Sequence, residues 1–301
     1  MPDTKKIIRL GSARLVAIVG PTGSGKTSWA KILAQKFNGK VITADSRQVY
    51  IGMDIGTGKD KSFQQDLIDI IYPDKIFSVA DYQKKAEELI AKYQAQNILP
   101  VIAGGTGLYI ESVLYGYVIP DLKKESLKLR QSFEKLKDTE LIKKLQQFDS
   151  ISAKKIDPKN RRRIIRALEV SILTKNPFSK LQKKKPKYDS LIIGIDVDRE
   201  TLYSKIDARI EEMVKSGLVE EVRNLLKKYR EDLPAMSGIG YKEIIDYLKG
   251  RKSLRESIQK IKFNTHAYVR RQMTWFRRDK NIYWVQNINQ AEKLIEKFLS
   301  K

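Results

Sequence analysis

Gly20-Pro21-Thr22-Gly23-Ser24-Gly25-Lys26-Thr27 is the stretch that decides the fold of this 301-residue chain. It follows Arg14–Val19, a short β-branched run that reads as a buried strand, and it opens a helical pattern over Ser28–Phe37. Strand, glycine turn and helix in that order form the context a phosphate-binding loop requires. The glycines let successive backbone N–H groups turn inward around phosphate oxygens, and the helix N-terminus adds its dipole. Lys26 supplies a point charge and Thr27 a hydroxyl suited to Mg²⁺. The spacing specifies a bound polyphosphate without specifying a nucleotide.

Outward from that loop, strand and helix signals alternate. Val41–Ala44 reads as a second strand ending at Asp45, Leu67–Ile71 as a possible third, and Ile98–Ala103 as a clear one ending at Gly104-Gly105-Thr106-Gly107. Val79–Gln96 has helical periodicity. This alternation predicts a parallel sheet covered on both faces. From about Pro120 the character changes. Asp121–Gln147 is highly charged and helical, with Leu122, Leu129, Phe133, Leu136, Leu141 and Leu145 as its apolar positions. Pro158 precedes a helix over Arg161–Leu173, and Pro177 and Pro186 bound a Lys-rich loop. A strand over Leu191–Val197 then returns, followed by helices over Arg199–Lys215, Leu218–Tyr229 and Leu254–Arg278, a strand at Ile282–Val285 and a last helix. The expected architecture is α/β: a P-loop NTPase-like parallel sheet core from 1–119 plus 190–301, interrupted by a mostly helical insertion at 120–189.

Composition bounds the function. The 59 Lys and Arg against 36 Asp and Glu give +23, with the one His neutral. The charge is clustered: 154–187 holds 13 basic residues and two acidic ones, Asp157 and Glu169. A second stretch, 260–280, sets seven Lys and Arg against Asp279 and interleaves Phe263, Tyr268, Trp275 and Phe276. Cations neutralise phosphates and rings stack on bases, so this mixture predicts a nucleic-acid partner. Zero cysteines exclude disulfides and thiolate chemistry, and one His excludes a His-cluster metal site. No apolar run approaches the roughly 20 residues that span a bilayer. The basic start (Lys5, Lys6, Arg9) precedes only the short Leu15–Val19 run, so secretion is not expected and a cytoplasmic monomer is.

Candidate chemistry gathers at strand ends. Asp45 closes the second strand, at the carboxyl edge where ligands of α/β folds bind. There it reads either as a base that takes an acceptor's proton or as a cap for the next turn. P-loop nucleotidases carry an acid at the end of an apolar strand to organise Mg²⁺. Here Ile98–Ala103 ends in glycines, and Asp69 reads as such a ligand or as a turn residue. His266 suits a structural or phosphate-contacting role, and one of Trp275 and Phe276 is expected in the core. A small-molecule P-loop kinase and a nucleotide-gated RNA-binding switch remain alternatives.

With these pieces in order, the chain resembles the tRNA dimethylallyltransferases, in their bacterial form. The resemblance is carried by GPTGSGKT at 20–27, DSRQVYIGMDIGTGK at 45–59, PVIAGGTGLY at 100–109, RRRIIRALEV at 161–170, SGIGYK at 237–242 and RRQMTWFRR at 270–278. It implies that the loop binds dimethylallyl diphosphate instead of ATP and that the acceptor is adenosine 37 in the anticodon stem-loop. It also implies Mg²⁺ as cofactor. Diphosphate binding then falls to Gly20, Thr22, Gly23, Ser24, Gly25, Lys26 and Thr27, with Arg209 as a second cation, Thr27 toward the metal and Asp45 as general base. RNA contacts are implied for Asp45, Ser46, Arg47, Gln48 and Thr106, for Arg162, Arg163 and Arg166, and for Ser237, Gly238, Gly240, Tyr241 and Lys242. Arg270, Arg271, Gln272, Trp275 and Arg277 complete that set. Asp157-Pro158 stands where many bacterial members carry His-Pro.

Overall fold

Arg14–Val19 is strand β1, and Leu15 to Val19 are at most 1% exposed, as a strand covered on both faces requires. The computed structural model describes residues 14–120, 123–181 and 185–301. Lys5, Lys6, Arg9, Asp121, Leu122, Lys183 and Lys184 lie outside the described residues. The remaining strands are β2 (Gly39–Ala44), β3 (Gln65–Asp66), β4 (Leu99–Gly104), β5 (Asp189–Ile195) and β6 (Ile282–Val285). They form a six-stranded parallel sheet in the order β3-β2-β4-β1-β5-β6.

Helices α1 (Lys26–Lys36), α2 (Val79–Ala95) and α3 (Gly107–Leu114) belong to the first half. After them come α4 (Lys123–Glu134), α5 (Asp138–Phe148), α6 (Ser150–Lys155), α7 (Arg161–Thr174) and α8 (Phe178–Leu181). The last part holds α9 (Arg199–Lys215), α10 (Leu218–Leu226), α11 (Tyr241–Leu248), α12 (Leu254–Phe276) and α13 (Ile288–Leu299). Alternate strand residues Val16, Ile18, Val101, Ala103 and Ile193 pack with Leu33 of α1 and Ile295 and Phe298 of α13. A second core joins Val49 and Met53 to Leu202, Ile206, Val222, Ile244, Ile261 and Val269 from α9 to α12.

The chain divides into two compact units, one drawn from Met1–Leu114 and Tyr188–Lys301, the other Tyr115–Lys187. The second unit has its own core of Phe133, Leu141, Leu145, Ile156, Ile164, Ala167 and Leu168. Its first helix is not continuous over 121–147 as its periodicity predicts. The chain breaks after Glu134 and restarts at Asp138, where the Glu140 carboxylate accepts the Lys137 N–H at 2.7 Å. No Gly or Pro marks the break; folding back is what brings Phe133 against Leu141 and Leu145. The expected Lys-rich loop holds the helical turn α8. Asp149, 3% exposed, ties it down by accepting from Ser179 N at 2.7 Å and Ser179 Oγ at 2.8 Å.

Leu67–Ile71 is also not the third strand. Leu67 (φ 61°) and Asp69 (φ 51°) adopt left-handed backbone, which breaks a pleat, and the edge strand lies just before them at Gln65–Asp66. The segment is held instead by Asp69 N to Gln48 O (3.1 Å) and Ile70 N to Val49 O (2.9 Å).

Leu141 is fully buried in the helical unit. Leu141→Ala is expected to destabilise that unit by ~2–5 kcal/mol. Urea unfolding followed by far-UV circular dichroism is the measurement, because Trp29, Trp275 and Trp284 all belong to the other unit. A midpoint unchanged in the helical transition would contradict the assigned core.

Candidate active site

Three neighbouring strands end level. Val19 of β1 pairs with Gly104 of β4, and Gly104 pairs with Ala44 of β2. The next residues, Gly20, Gly105 and Asp45, therefore emerge side by side at the carboxyl edge, in the crevice where α/β sheets bind ligands. Thr106 N donates to Ala44 O at 3.1 Å, and the Thr106 hydroxyl accepts Ser46 N–H at 3.1 Å, which ties the glycine turn to the Asp45 turn.

The 20–27 loop has the shape its glycines allow. Gly23 (φ 80°) and Gly25 (φ 85°) sit in the left-handed region, and α1 begins directly after Gly25, so its N-terminus faces the loop. Ser24 Oγ is buried with no hydrogen-bond partner. A buried hydroxyl left unpaired is costly, and an anion seated in the loop would satisfy it. Lys26 Nζ folds back on the loop, donating to Pro21 O at 2.6 Å. The residue as a whole is half-buried, but its ammonium is deep. Desolvation there, and to a smaller degree the Arg209 charge, lower its pKa to about 8 against the opposing pull of Asp45.

Asp45 accepts Arg47 N–H at 2.8 Å and Gln48 N–H at 3.3 Å on Oδ1, a turn that fixes the carboxylate. Arg209 reaches this cluster from α9. Burial lowers its pKa while the nearby Asp45 charge raises it, so Lys26 and Arg209 both feel the same carboxylate. Arg209 Nη2 donates to Gly58 O at 3.3 Å, and a Cβ at Gly58 (φ 60°) would fall 1.6 Å from that nitrogen. Only glycine lets the guanidinium lie there. Tyr268 of α12 lies near the same carboxylate, and its pKa is pushed up to about 12, first by desolvation and then by Asp45.

The 54–59 loop is held by groups with no sequence signature. Glu221 of α10 accepts N–H groups from Asp54 (2.9 Å), Ile55 (2.6 Å) and Gly56 (3.1 Å), and the Tyr241 hydroxyl at 2.6 Å. Lys59, whose side chain is 0% exposed, donates to Tyr50 O, to Asp54 at 2.9 Å and to Asp69 at 2.5 Å. Asp69 also pairs with Lys61 at 3.3 Å, which makes it a loop anchor and not a metal ligand.

The implied RNA contacts divide by exposure. Ser237, Lys242, Arg270, Arg271 and Arg277 are exposed in the same unit, and Arg162 and Arg163 are exposed on α7 of the helical unit. Arg166 is half-buried and reaches Glu169 at 3.4 Å. Gly238 and Gly240 are buried, and Gly240 N–H is spent on Glu243 at 2.7 Å. Arg47 donates to Pro234 O (2.6 Å), Ala235 O (3.1 Å) and Ser237 Oγ (3.2 Å), and Gln48 to Thr57 O (3.1 Å), so both brace the cleft. Tyr241 is 1% exposed and Gln272 is 5% exposed, each with its polar group hydrogen-bonded to protein. Thr22 N–H donates to Gln272 Oε1 at 2.9 Å. Phe276 is core, at 3% exposed, while Trp275 is half-buried. His266 stacks on Tyr203 at 4.0 Å, with Nε2 2.9 Å from Asp207 Oδ1 but off the hydrogen-bonding angle.

Mg²⁺ fits these residues in one manner. Among the described residues no group of three or more His, Cys, Asp and Glu could hold a metal. The Thr27 hydroxyl would be its protein donor, the sparse oxygen supply that Mg²⁺ accepts when it keeps water and phosphate oxygens as its other ligands.

The chain matches two family models, IPP transferase over residues 48–279 and isopentenyl transferase over 13–76. It is 44% identical over 308 aligned residues to a tRNA dimethylallyltransferase of Thermoanaerobacter sp. (strain X514), covering 95% of this chain and 98% of that one. It is similar to the crystal structure of a tRNA isopentenylpyrophosphate transferase from Bacillus halodurans, with a TM-score of 0.73, 37% identity and coverage of 96% and 97%. The corresponding Staphylococcus epidermidis enzyme gives 0.71, 38%, and coverage of 96% and 99%. A cleft of this geometry, matched nearly end to end, makes the chain a member of the IPP transferase family, the tRNA dimethylallyltransferases.

Proposed function

We propose that this chain transfers the dimethylallyl group of dimethylallyl diphosphate to N6 of adenosine 37 in the tRNA anticodon stem-loop, releasing diphosphate, as a cytoplasmic monomer. The single observation that carries the reading is the level meeting of the phosphate loop and Asp45 at the ends of three paired strands. The family relatives are named for dimethylallyl transfer to tRNA. No helix among the described residues is long and apolar enough to cross a membrane.

Adenine N6 is a poor nucleophile, because its lone pair is delocalised into the ring. In this reading its attack on the allylic carbon breaks the carbon–oxygen bond, and that electron pair leaves on the diphosphate. The N–H groups of Gly23–Thr27, Ser24 Oγ, Lys26 and Arg209 hold the departing charge in a partly desolvated site, where fixed dipoles and cations act strongly. Mg²⁺, when bound at Thr27, neutralises part of the same charge. Asp45 takes the N6 proton as the carbon–nitrogen bond forms, and the hydrogen bond from Ser46 N–H to Thr106 keeps its turn in register. Holding the two reactants in line contributes ~7–11 kcal/mol toward the barrier. The exposed arginines of α12 and of the helical insertion are assigned to tRNA phosphates.

Incubation with labelled dimethylallyl diphosphate, Mg²⁺ and bulk tRNA is expected to move label into acid-precipitable RNA. Label left wholly soluble would refute the reading. Asp45→Asn keeps an oxygen for the Arg47 and Gln48 N–H groups while removing the base. Turnover is expected to fall ~10²–10⁴-fold, with tRNA affinity by filter binding changed less than about threefold. Turnover that survives at saturation would remove Asp45 as base.

Lys26 gives a pH dependence of known sign. Its pKa is about 8 in the free enzyme, and the charged form is the one that attracts diphosphate. Dimethylallyl diphosphate affinity, measured by calorimetry without tRNA, is therefore expected to hold below pH 8 and to weaken up to about tenfold per pH unit above it. Binding there should take up a proton. Lys26→Met should bind weakly and flatten the profile; an unchanged slope would assign the titration to another group.

A further inference from the structure

Gln272 is out of character with the basic run that contains it. Arg270, Arg271 and Arg277 are exposed, whereas Gln272 lies on the inner stripe of α12 with Ile261, Val269 and Phe276. Both ends of its amide are used. Oε1 accepts Thr22 N–H at 2.9 Å, and Nε2 donates to Gly105 O at 2.9 Å. One partner is a donor and the other an acceptor, so the amide has a single satisfactory orientation. A Cβ at Gly105 would lie 2.3 Å from Nε2, so glycine is needed for the approach. On the strand end that Gln272 reaches, the Thr106 hydroxyl accepts Ser46 N–H at 3.1 Å beside Asp45.

We propose that Gln272 is a positioning residue for the transfer: its amide ties Thr22 of the phosphate loop to Gly105 and so fixes the gap between the leaving diphosphate and Asp45. The inference rests on the prenyl-transfer reading and deepens it. Thr22 N–H is already spent, which leaves the phosphate cradle to Gly23–Thr27. The tie also crosses from the loop after β1 to the loop after β4. A buried amide satisfied at both ends specifies one arrangement, and losing it frees the loop to shift by the ångström that positioning cannot tolerate.

The test compares Gln272→Met, which keeps length and loses both bonds, with Gln272→Glu, which keeps the acceptor and sets a carboxylate against the Gly105 carbonyl. In the full chain, turnover at saturating tRNA and dimethylallyl diphosphate is expected to fall ~10–100-fold in both, with tRNA affinity changed less than about twofold. Amide exchange read by mass spectrometry should rise in peptides covering 20–24 and 104–107, with peptides of α5 and α7 unchanged. In an Asp45→Asn background, Gln272→Met should add less than about threefold, because the tie acts by placing the Asp45 base, which that background already lacks. Turnover within twofold of the parent, a loss that follows tRNA affinity, or multiplicative losses in the double variant would each overturn the proposal. Unchanged exchange at the loop would overturn it too. If one variant does not fold, the other decides. If the parent chain transfers no label, the prenyl-transfer reading fails, while the exchange result still decides whether the tie exists.

Discussion

The site depends on one constraint: three parallel strands that stop at the same level. Hydrogen-bond register makes Ala44, Gly104 and Val19 neighbours, so whatever follows each strand must share one small volume at the carboxyl edge. Parallel strands aligned this way are buried on both faces, which fixes register firmly because a one-residue slip would turn every side chain over. The phosphate loop, the glycine turn and Asp45 are thus set within reach by the most rigid part of the molecule. Side chains adjust that geometry; the sheet establishes it.

Charge is handled differently in the cleft and around it. Beside the cleft, ions are paired: the buried Lys59 ammonium with the half-buried Asp54 and Asp69, and half-buried Glu221 with three backbone N–H groups and a tyrosine hydroxyl. Removing an acid from such a set leaves a buried cation or buried donors with fewer partners. Within the cleft, Lys26 and Arg209 are desolvated near one carboxylate, and burial pushes both pKa values down. The Ser24 hydroxyl in the same loop is buried without a hydrogen-bond partner.

Helix α12 shows how far a sequence can be read and where reading stops. Its basic outer face is visible as a charge run, and one of Trp275 and Phe276 can be expected in the core because adjacent helical positions point apart; the structure makes it Phe276. Gln272 was available to the same reasoning, since it falls on the stripe of Ile261, Val269 and Phe276, and a polar residue on a buried stripe demands partners. The identity of those partners, Thr22 and Gly105, is 250 and 167 residues away in the chain and has no local signal. Tyr241 misleads for the same reason. It opens a helix beside a glycine-rich turn, yet its ring is drawn inward by Glu221.

The sequence by itself determined the phosphate loop, Asp45 at a strand end, the α/β alternation, the helical insertion and the basic surfaces. Each of these is written in local spacing, turn residues or charge that short stretches carry unaided. Tertiary structure decided the rest: the break between α4 and α5, the loss of Leu67–Ile71 as a strand, Asp69 as an anchor, Arg209 as a neighbour of Asp45, and Gln272 as a tie. These outcomes come from contacts between distant segments, where packing and the need to satisfy buried polar groups outweigh what neighbouring residues prefer.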